Sequence, residues 1–179
     1  MAVFFSADSH FGHANIICHC KRPFLSVDEM DAALIANWNS LVQPSDDVWH
    51  LGDFAFGGPE VAAGYLKRLR GRKHLIWGNH DRPTVRELPG WASSQAMAEV
   101  KVDGTRIILC HYGMRVWNAA HHGALHFYGH SHGTLPGDRQ CCDVGVDVWD
   151  FRPVRLAEIR ERLGTLPERW VPDRHEAST

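Results

Sequence analysis

The sequence predicts an α/β fold, sheets covered by helices, on two observations. Its first half alternates short apolar runs with helix-period stretches, whereas its second half is mostly strand-like. Strand after predicted strand also stops at a glycine-flanked cluster of Asp, Asn or His, and in open α/β sheets such strand ends converge on one edge. That order disfavours both a helical bundle and an all-β barrel. The 179 residues suffice for one domain with a proper core, placed at 1–165, with 166–179 expected to be a loose tail.

The elements follow in order. Val3-Phe4-Phe5-Ser6-Ala7 reads as a buried first strand ending at Asp8, and a polar, His-rich loop runs from Ser9 to Leu25. Ser26-Val27-Asp28-Glu29 is a capping box, with the Ser26 hydroxyl placed to accept from the Glu29 amide. The helix it opens carries Met30, Ala33, Leu34, Trp38 and Leu41 on one face and stops before Pro44. Residues 48–51 form a second strand running into Gly52-Asp53. Pro59 sits in the first turn of a helix that buries Val61, Tyr65, Leu66 and Leu69 and ends at Gly71. Residues 74–77 are a third strand, ending in Gly78-Asn79-His80-Asp81. The pattern then turns to antiparallel strand, with 95–102 pairing with 105–110 through the hairpin signal Asp103-Gly104. Leu125–Tyr128 leads into Gly129-His130-Ser131-His132, and Cys142 to Val148 alternates valines with Asp143, Gly145 and Asp147. A final helix spans 153–163.

Composition removes several function classes. No apolar run approaches the ~20 residues that span a bilayer. The first residues lack the basic start and long apolar core of a signal peptide, so the expected compartment is the cytoplasm. Five cysteines fit reduced thiols better than a disulfide scaffold. The formal net charge of −2 disfavours extended nucleic-acid binding, which runs on excess Lys and Arg. Histidine is the outlier, with 13 copies, and it is the commonest metal ligand and a frequent acid or base.

Five clusters carry the chemistry: Asp8-Ser9-His10, Gly52-Asp53, Gly78-Asn79-His80-Asp81, Cys110-His111 and Gly129-His130-Ser131-His132. Singly, Asp-x-His or Gly-Asp is weak, but five at successive strand ends point to a metal site. Carboxylates, an amide oxygen and imidazoles without thiolate suit Zn, Mn, Fe or Ni rather than an iron–sulfur cluster or calcium. Seven candidate ligands exceed one tetrahedral ion and suit two ions sharing a carboxylate, which can activate a bridging hydroxide and clamp a phosphoryl group.

The string D-x-H, G-D, G-N-H-[DE], lone H, G-H-x-H, running from Asp8 to His132, resembles the calcineurin-like metallophosphoesterase superfamily in its short bacterial and phage members. The resemblance implies two mixed sheets packed as a sandwich between helices, a four-layer αββα fold. It also implies Asp8, His10, Asp53 and His132 around one divalent ion, and Asn79, His111, His130 and bridging Asp53 around a second. His80 would protonate the leaving alkoxide or stabilise the phosphoryl oxygens, an economical role because the nucleophile comes from the metals. Asp81, beside it, is counted with it as a candidate catalytic residue. The implied activity is hydrolysis of a phosphomonoester or phosphodiester. A non-catalytic metal-binding module is the rival, and the presence of His80 argues against it. Phe54-Ala55 follows Gly52-Asp53 where protein Ser/Thr phosphatases carry a further Asp-Arg, so that substrate class is disfavoured. There is no room for the capping domain of the DNA-repair nucleases. A small phosphate ester or a nucleotide end is the expected substrate.

Substrate contacts are assigned to Asn79, His13, Asn15, Arg22 and Arg115, the arginines because their planar fork suits phosphate oxygens. Phe11 and Trp117 are candidates for stacking on an aromatic group. His121, His122 and His126 precede the last motif and are read as structural or exposed. His19, His50, His74 and His175 are read as background. Cys18-His19-Cys20 lacks a second pair at usable spacing and is read as free thiols rather than a zinc site.

Overall fold

A computed structural model describes residues 1–169. Within them two mixed sheets pack face to face and are flanked by helices. The first sheet is built from β1 (Val3–Ser6), β2 (Asp47–His50), β3 (Arg72–Ile76), β4 (Ser93–Gln95) and β9 (Val154–Arg155), in the order β4-β3-β2-β1-β9. Its first four strands are parallel, and β9 closes the far edge antiparallel to β1. The second sheet has the order β5 (Met97–Val102), β6 (Thr105–Cys110), β7 (Leu125–Tyr128), β8 (Cys141–Asp143).

Strand composition follows from burial on both faces. Phe4, Val48 and Leu75 face a core shared with α1 (Ala14–His19), α2 (Val27–Leu41), α3 (Pro59–Arg68) and α4 (Pro83–Arg86). Their neighbours Phe5 and Ile76 face the opposite way, into a second core between the sheets that includes Ile107, Leu109 and Phe127. Phe5 and Phe127 meet edge to face across that interface, ring centroids 5.0 Å apart. α5 (Leu156–Thr165) adds Leu156, Ile159 and Leu163 to the same core. The outer face of the second sheet is covered by the segment carrying Trp117 and a single 3₁₀ turn at Ala120–His122.

The Ser26 cap is present: its hydroxyl accepts from the Glu29 amide, and α2 buries Met30, Leu34, Ile35 and Trp38. The Asp103-Gly104 hairpin is also present, with Val102 opposite Thr105.

Several boundaries differ. The loop expected from Ser9 to Leu25 contains α1. Val61 is exposed, and α3 instead buries Ala62 and Leu66. Residues 95–102 are not one strand: Gln95 ends β4 in the first sheet, and Met97 begins β5 in the second. Beyond that hairpin, β6, β7 and β8 run parallel, not antiparallel, because loops carry the chain back between them. The alternation after Cys142 is strand only to Asp143, and then tightens into a 3₁₀ turn at Val146–Val148. The helix begins only at Leu156, and Val154–Arg155 are strand. Of the expected loose tail, Leu166 packs on the inter-sheet core and the Pro167 carbonyl accepts from the Arg139 amide. Residues 170–179, including His175, lie outside the described residues.

Candidate metal centre

The parallel strands β1, β2 and β3 deliver their C-terminal loops to one edge. There the backbone continues the sheet: the amides of Asp8 and His10 donate to the carbonyls of Gly52 and Asp53, each at 3.0 Å. The second sheet joins this edge through the Val146 amide, which donates to the Ala7 carbonyl, and the Gly129 amide, which donates to the His111 carbonyl. All five motif blocks therefore meet in space.

Tight turns aim the side chains inward. Among the described residues ten non-glycine positions have positive φ, and Asp8, His10, Asp53, His130 and His132 are five of them. Such backbone persists only where surrounding structure over-determines it, and it collects at functional sites. Gly52 has φ of +92°, and a Cβ there would lie 2.6 Å from Gly78 and from His111 Nδ1. Glycine is required for the loops to approach this closely.

Three donor groups emerge among the described residues, each with ligand atoms within 4.8 Å of one another: Asp8-His10-His132, Asp53-His111-His130, and Cys20-His132-Asp147, which shares His132 with the first and whose Asp147 carboxylate is already held by Arg22. Asp53 stands between the first two. Its Oδ2 is 3.6 Å from His10 Nε2 and 3.5 Å from His111 Nε2, while its Oδ1 accepts from the His80 amide at 2.9 Å. Asn79 Oδ1 lies 3.1 Å from His111 Nε2, which adds the amide to the second group. His111 Nδ1 donates to the Leu51 carbonyl and His132 Nδ1 lies 2.7 Å from Asp147, so each presents the Nε2 lone pair to the cleft.

The donor set fits cations. Asp8 Oδ1 and His10 Nε2 are buried without a hydrogen-bond partner, the state a ligand atom has before its ion arrives. Burial, reinforced by the charges of Asp143 and Asp53, pushes the Asp8 carboxyl well above its usual range. Burial pulls the His10 imidazolium down to about 3, which keeps the ring neutral and able to ligate. Burial would raise Asp53 as well, but the hydrogen bond and charge of His111, with the His80 amide and His10, hold it well below the ordinary carboxylate range.

Other assigned residues fall elsewhere. Asp81 is not at the cleft: it is buried, and its two oxygens accept from the amides of Asp53, Phe54 and Gly78, bracing two loops together. Arg22 does not reach substrate either. It is buried in an ion pair with Asp147 and donates to the carbonyls of Asp8 and Ser9. His13 lies beside His10 and His80, with ring centroids 5.5 and 6.5 Å away. His80 itself is exposed at the mouth, 5.5 Å from the His10 ring. Asn15 is exposed on α1, and Arg115 lines a neighbouring cavity. Phe11 is buried under Phe54 and Tyr65 and offers no free face.

Three residues that sequence reasoning passed over support the site. Asp147 orients His132 and neutralises Arg22. Asp143 accepts from the Ser131 hydroxyl and the Gly133 amide, fixing the turn between His130 and His132. Asp31, from α2, accepts from the Gly12 amide and holds the first motif loop. Each had a signal in the sequence: a carboxylate set among apolar neighbours, where burial is costly unless it is satisfied. His50, read as background, is buried with its Nε2 2.8 Å from the Ser9 hydroxyl, inside the first motif.

Comparison with known proteins bears on the fold and the family. The chain is 30% identical over 163 residues to the uncharacterised protein MJ1445 of Methanocaldococcus jannaschii, covering 86% of each. It is 32% identical over 200 residues to the gene 66 protein of Mycobacterium phage D29, covering 93% of this chain and 98% of that one. Its fold matches a solved structure, the protein of unknown function AQ665 from Aquifex aeolicus, with a TM-score of 0.70 at 23% identity, over 89% of this chain and 98% of the other. A family model for the calcineurin-like phosphoesterase superfamily domain matches residues 1–146. By that match the chain belongs to the calcineurin-like phosphoesterase superfamily, which implies phosphoester hydrolysis with divalent metal ions as its general chemistry.

Proposed function

We propose that this protein is a dinuclear phosphoesterase acting on a small phosphate ester or nucleotide. In this reading Asp8, His10 and His132 hold one divalent ion, Asn79, His111 and His130 hold the other, and Asp53 is shared. The observation that carries it is the Asp53 carboxylate, whose outward oxygen is almost equidistant from His10 and His111. A single tetrahedral ion would leave three of the seven donors without a task.

When bound, the ions supply Lewis acidity toward the phosphoryl oxygens and a water acidic enough to attack near neutral pH. The chain's own residues do the rest. Water loses one proton to solvent as it adds to phosphorus, the P–O bond to the leaving group breaks, and the leaving oxygen takes a proton from the protonated His80 ring, which solvent then reprotonates. The hydrogen bond from the His80 backbone to Asp53 ties the acid's position to that of the shared carboxylate. Asp147 and the Leu51 carbonyl fix the tautomers of His132 and His111.

The test is a panel of mono-, di- and cyclic phosphates assayed with protein stripped by chelator and reloaded with Mn, Fe, Zn or Ni. Turnover of at least one ester class by reloaded protein, with two ions bound per chain, is expected. Full activity in the presence of chelator overturns the proposal.

A further inference from the structure

Two exposed aromatic rings stand beyond opposite ends of the ligand cluster, and nothing in the proposed chemistry uses them. Phe56 is 47% exposed; its ring stacks on His13 at 4.2 Å and 14°, with His80 6.5 Å away. Tyr112, also 47% exposed, sets its ring 4.9 Å from His130 and 5.0 Å from His111. Phe56 thus borders the half of the site holding His10 and His80, and Tyr112 borders the half holding His111 and His130. Asp53 lies between the halves.

Both rings stand on anchored backbone. The Phe56 amide donates to the Phe11 carbonyl at 2.7 Å, and Tyr112 follows directly on His111, whose carbonyl accepts from Gly129. A rigid aromatic face loses little entropy when it is covered, so it suits recognition. Immediately past Tyr112 the chain borders a cavity of about 460 Å³ lined by Met114, Val116, Trp117, Leu135 and Arg169. That cavity gives a planar group on this side somewhere to extend.

We propose that Phe56 and Tyr112 are stacking platforms for planar groups on the two sides of the scissile phosphorus. The preferred substrate is then an internucleotide phosphodiester, in a dinucleotide or at a single-stranded end. Every nucleobase has a π face, and stacking on an aromatic side chain strengthens binding by about 5-fold or more per base. The net charge of −2 agrees with a short end rather than a long strand in a basic groove. This inference rests on the reading of the site as a phosphoesterase.

The experiment compares two diesters with one leaving group, thymidine 5′-(p-nitrophenyl phosphate) and methyl p-nitrophenyl phosphate, on metal-reloaded full-length protein. A second arm measures binding of an uncharged dithymidine methylphosphonate to metal-free protein by fluorescence titration. Wild type is expected to favour the thymidine ester by about 5-fold or more in kcat/KM. Of Phe56→Leu and Tyr112→Leu, the one on the thymidine side should collapse that ratio several-fold, the one on the nitrophenyl side should lower kcat/KM for both esters alike, and both should weaken methylphosphonate binding. A ratio near one, or a ratio and binding constant that neither substitution moves, overturns the platforms while nitrophenolate release from both esters leaves the phosphoesterase reading intact. Loss of methylphosphonate binding in the variants, with no turnover of either ester, upholds the platforms and removes the catalytic reading. Neither binding nor turnover in wild type overturns both.

Discussion

His132 Nδ1 lies 2.7 Å from Asp147 Oδ2, and that same oxygen accepts from the Arg22 guanidinium at 2.8 Å. A candidate ligand imidazole is therefore held by a carboxylate whose charge is already balanced on its buried side. Asp147→Asn should lower metal affinity by about 10–100-fold, because outer hydrogen bonds of this kind carry that much of a site's affinity. Calorimetric metal titration checks it, and an unchanged affinity would remove Asp147 from the site.

Arg22 is 4% exposed and donates to Asp8, Ser9 and Asp147. Arg22→Met leaves Asp147 facing a buried gap, and breaking one side of such a pair costs about 3–5 kcal/mol. Urea unfolding of the metal-free variant should show a loss of that size. A loss under about 1 kcal/mol, with a large rise in KM instead, would return Arg22 to a phosphate-binding role.

Asp53→Ala should abolish turnover and reduce bound metal, since one side chain serves both proposed ion sites. Nitrophenyl phosphate hydrolysis and elemental analysis of the same sample separate the two effects. Full activity would exclude a shared carboxylate.

His80→Ala should keep its metal while losing turnover by about 10²–10⁴-fold, the usual worth of a positioned acid. Substrates with poor leaving groups should suffer most, because they depend on protonation. Equal losses for nitrophenyl and alkyl esters would count against proton donation.

Gly78→Ala should unfold the edge of the site rather than merely crowd it. A Cβ at Gly78 would fall within the Asp53 carboxylate and amide, both rigid groups. Overpacking of this kind costs about 1–3 kcal/mol, and thermal melting of the metal-free protein should read it. A wild-type melting temperature would show that the two loops can separate.

The candidate ligands were legible because metal chemistry restricts which side chains serve, and each sits just past the end of a strand. Asp8, Asp53 and His111 were recognisable before any geometry was known. Their supports were not. Asp81 shares its block with His80 and looks equally catalytic, yet its contacts to three amides depend on how two loops fold together. Arg22 has the right chemistry for phosphate, and only the position of Asp147, 125 residues away, turns it inward. Strand direction was equally hidden. The hairpin at Asp103-Gly104 announces itself locally, whereas the parallel pairing of β6 with β7 depends on a connection whose path no short-range pattern specifies.

The edge-to-face contact of Phe5 with Phe127 has a bearing on coordination. Phe5 stands three residues before Asp8, and Phe127 three before His130, so this pair of rings works as the jaw of a caliper set by apolar volume. Shaving or thickening either ring resets the gap between donors arriving from the two sheets. Under the proposed dinuclear reading, the fit to a larger or smaller ion would therefore be set in the oily interior as well, with every candidate ligand unchanged.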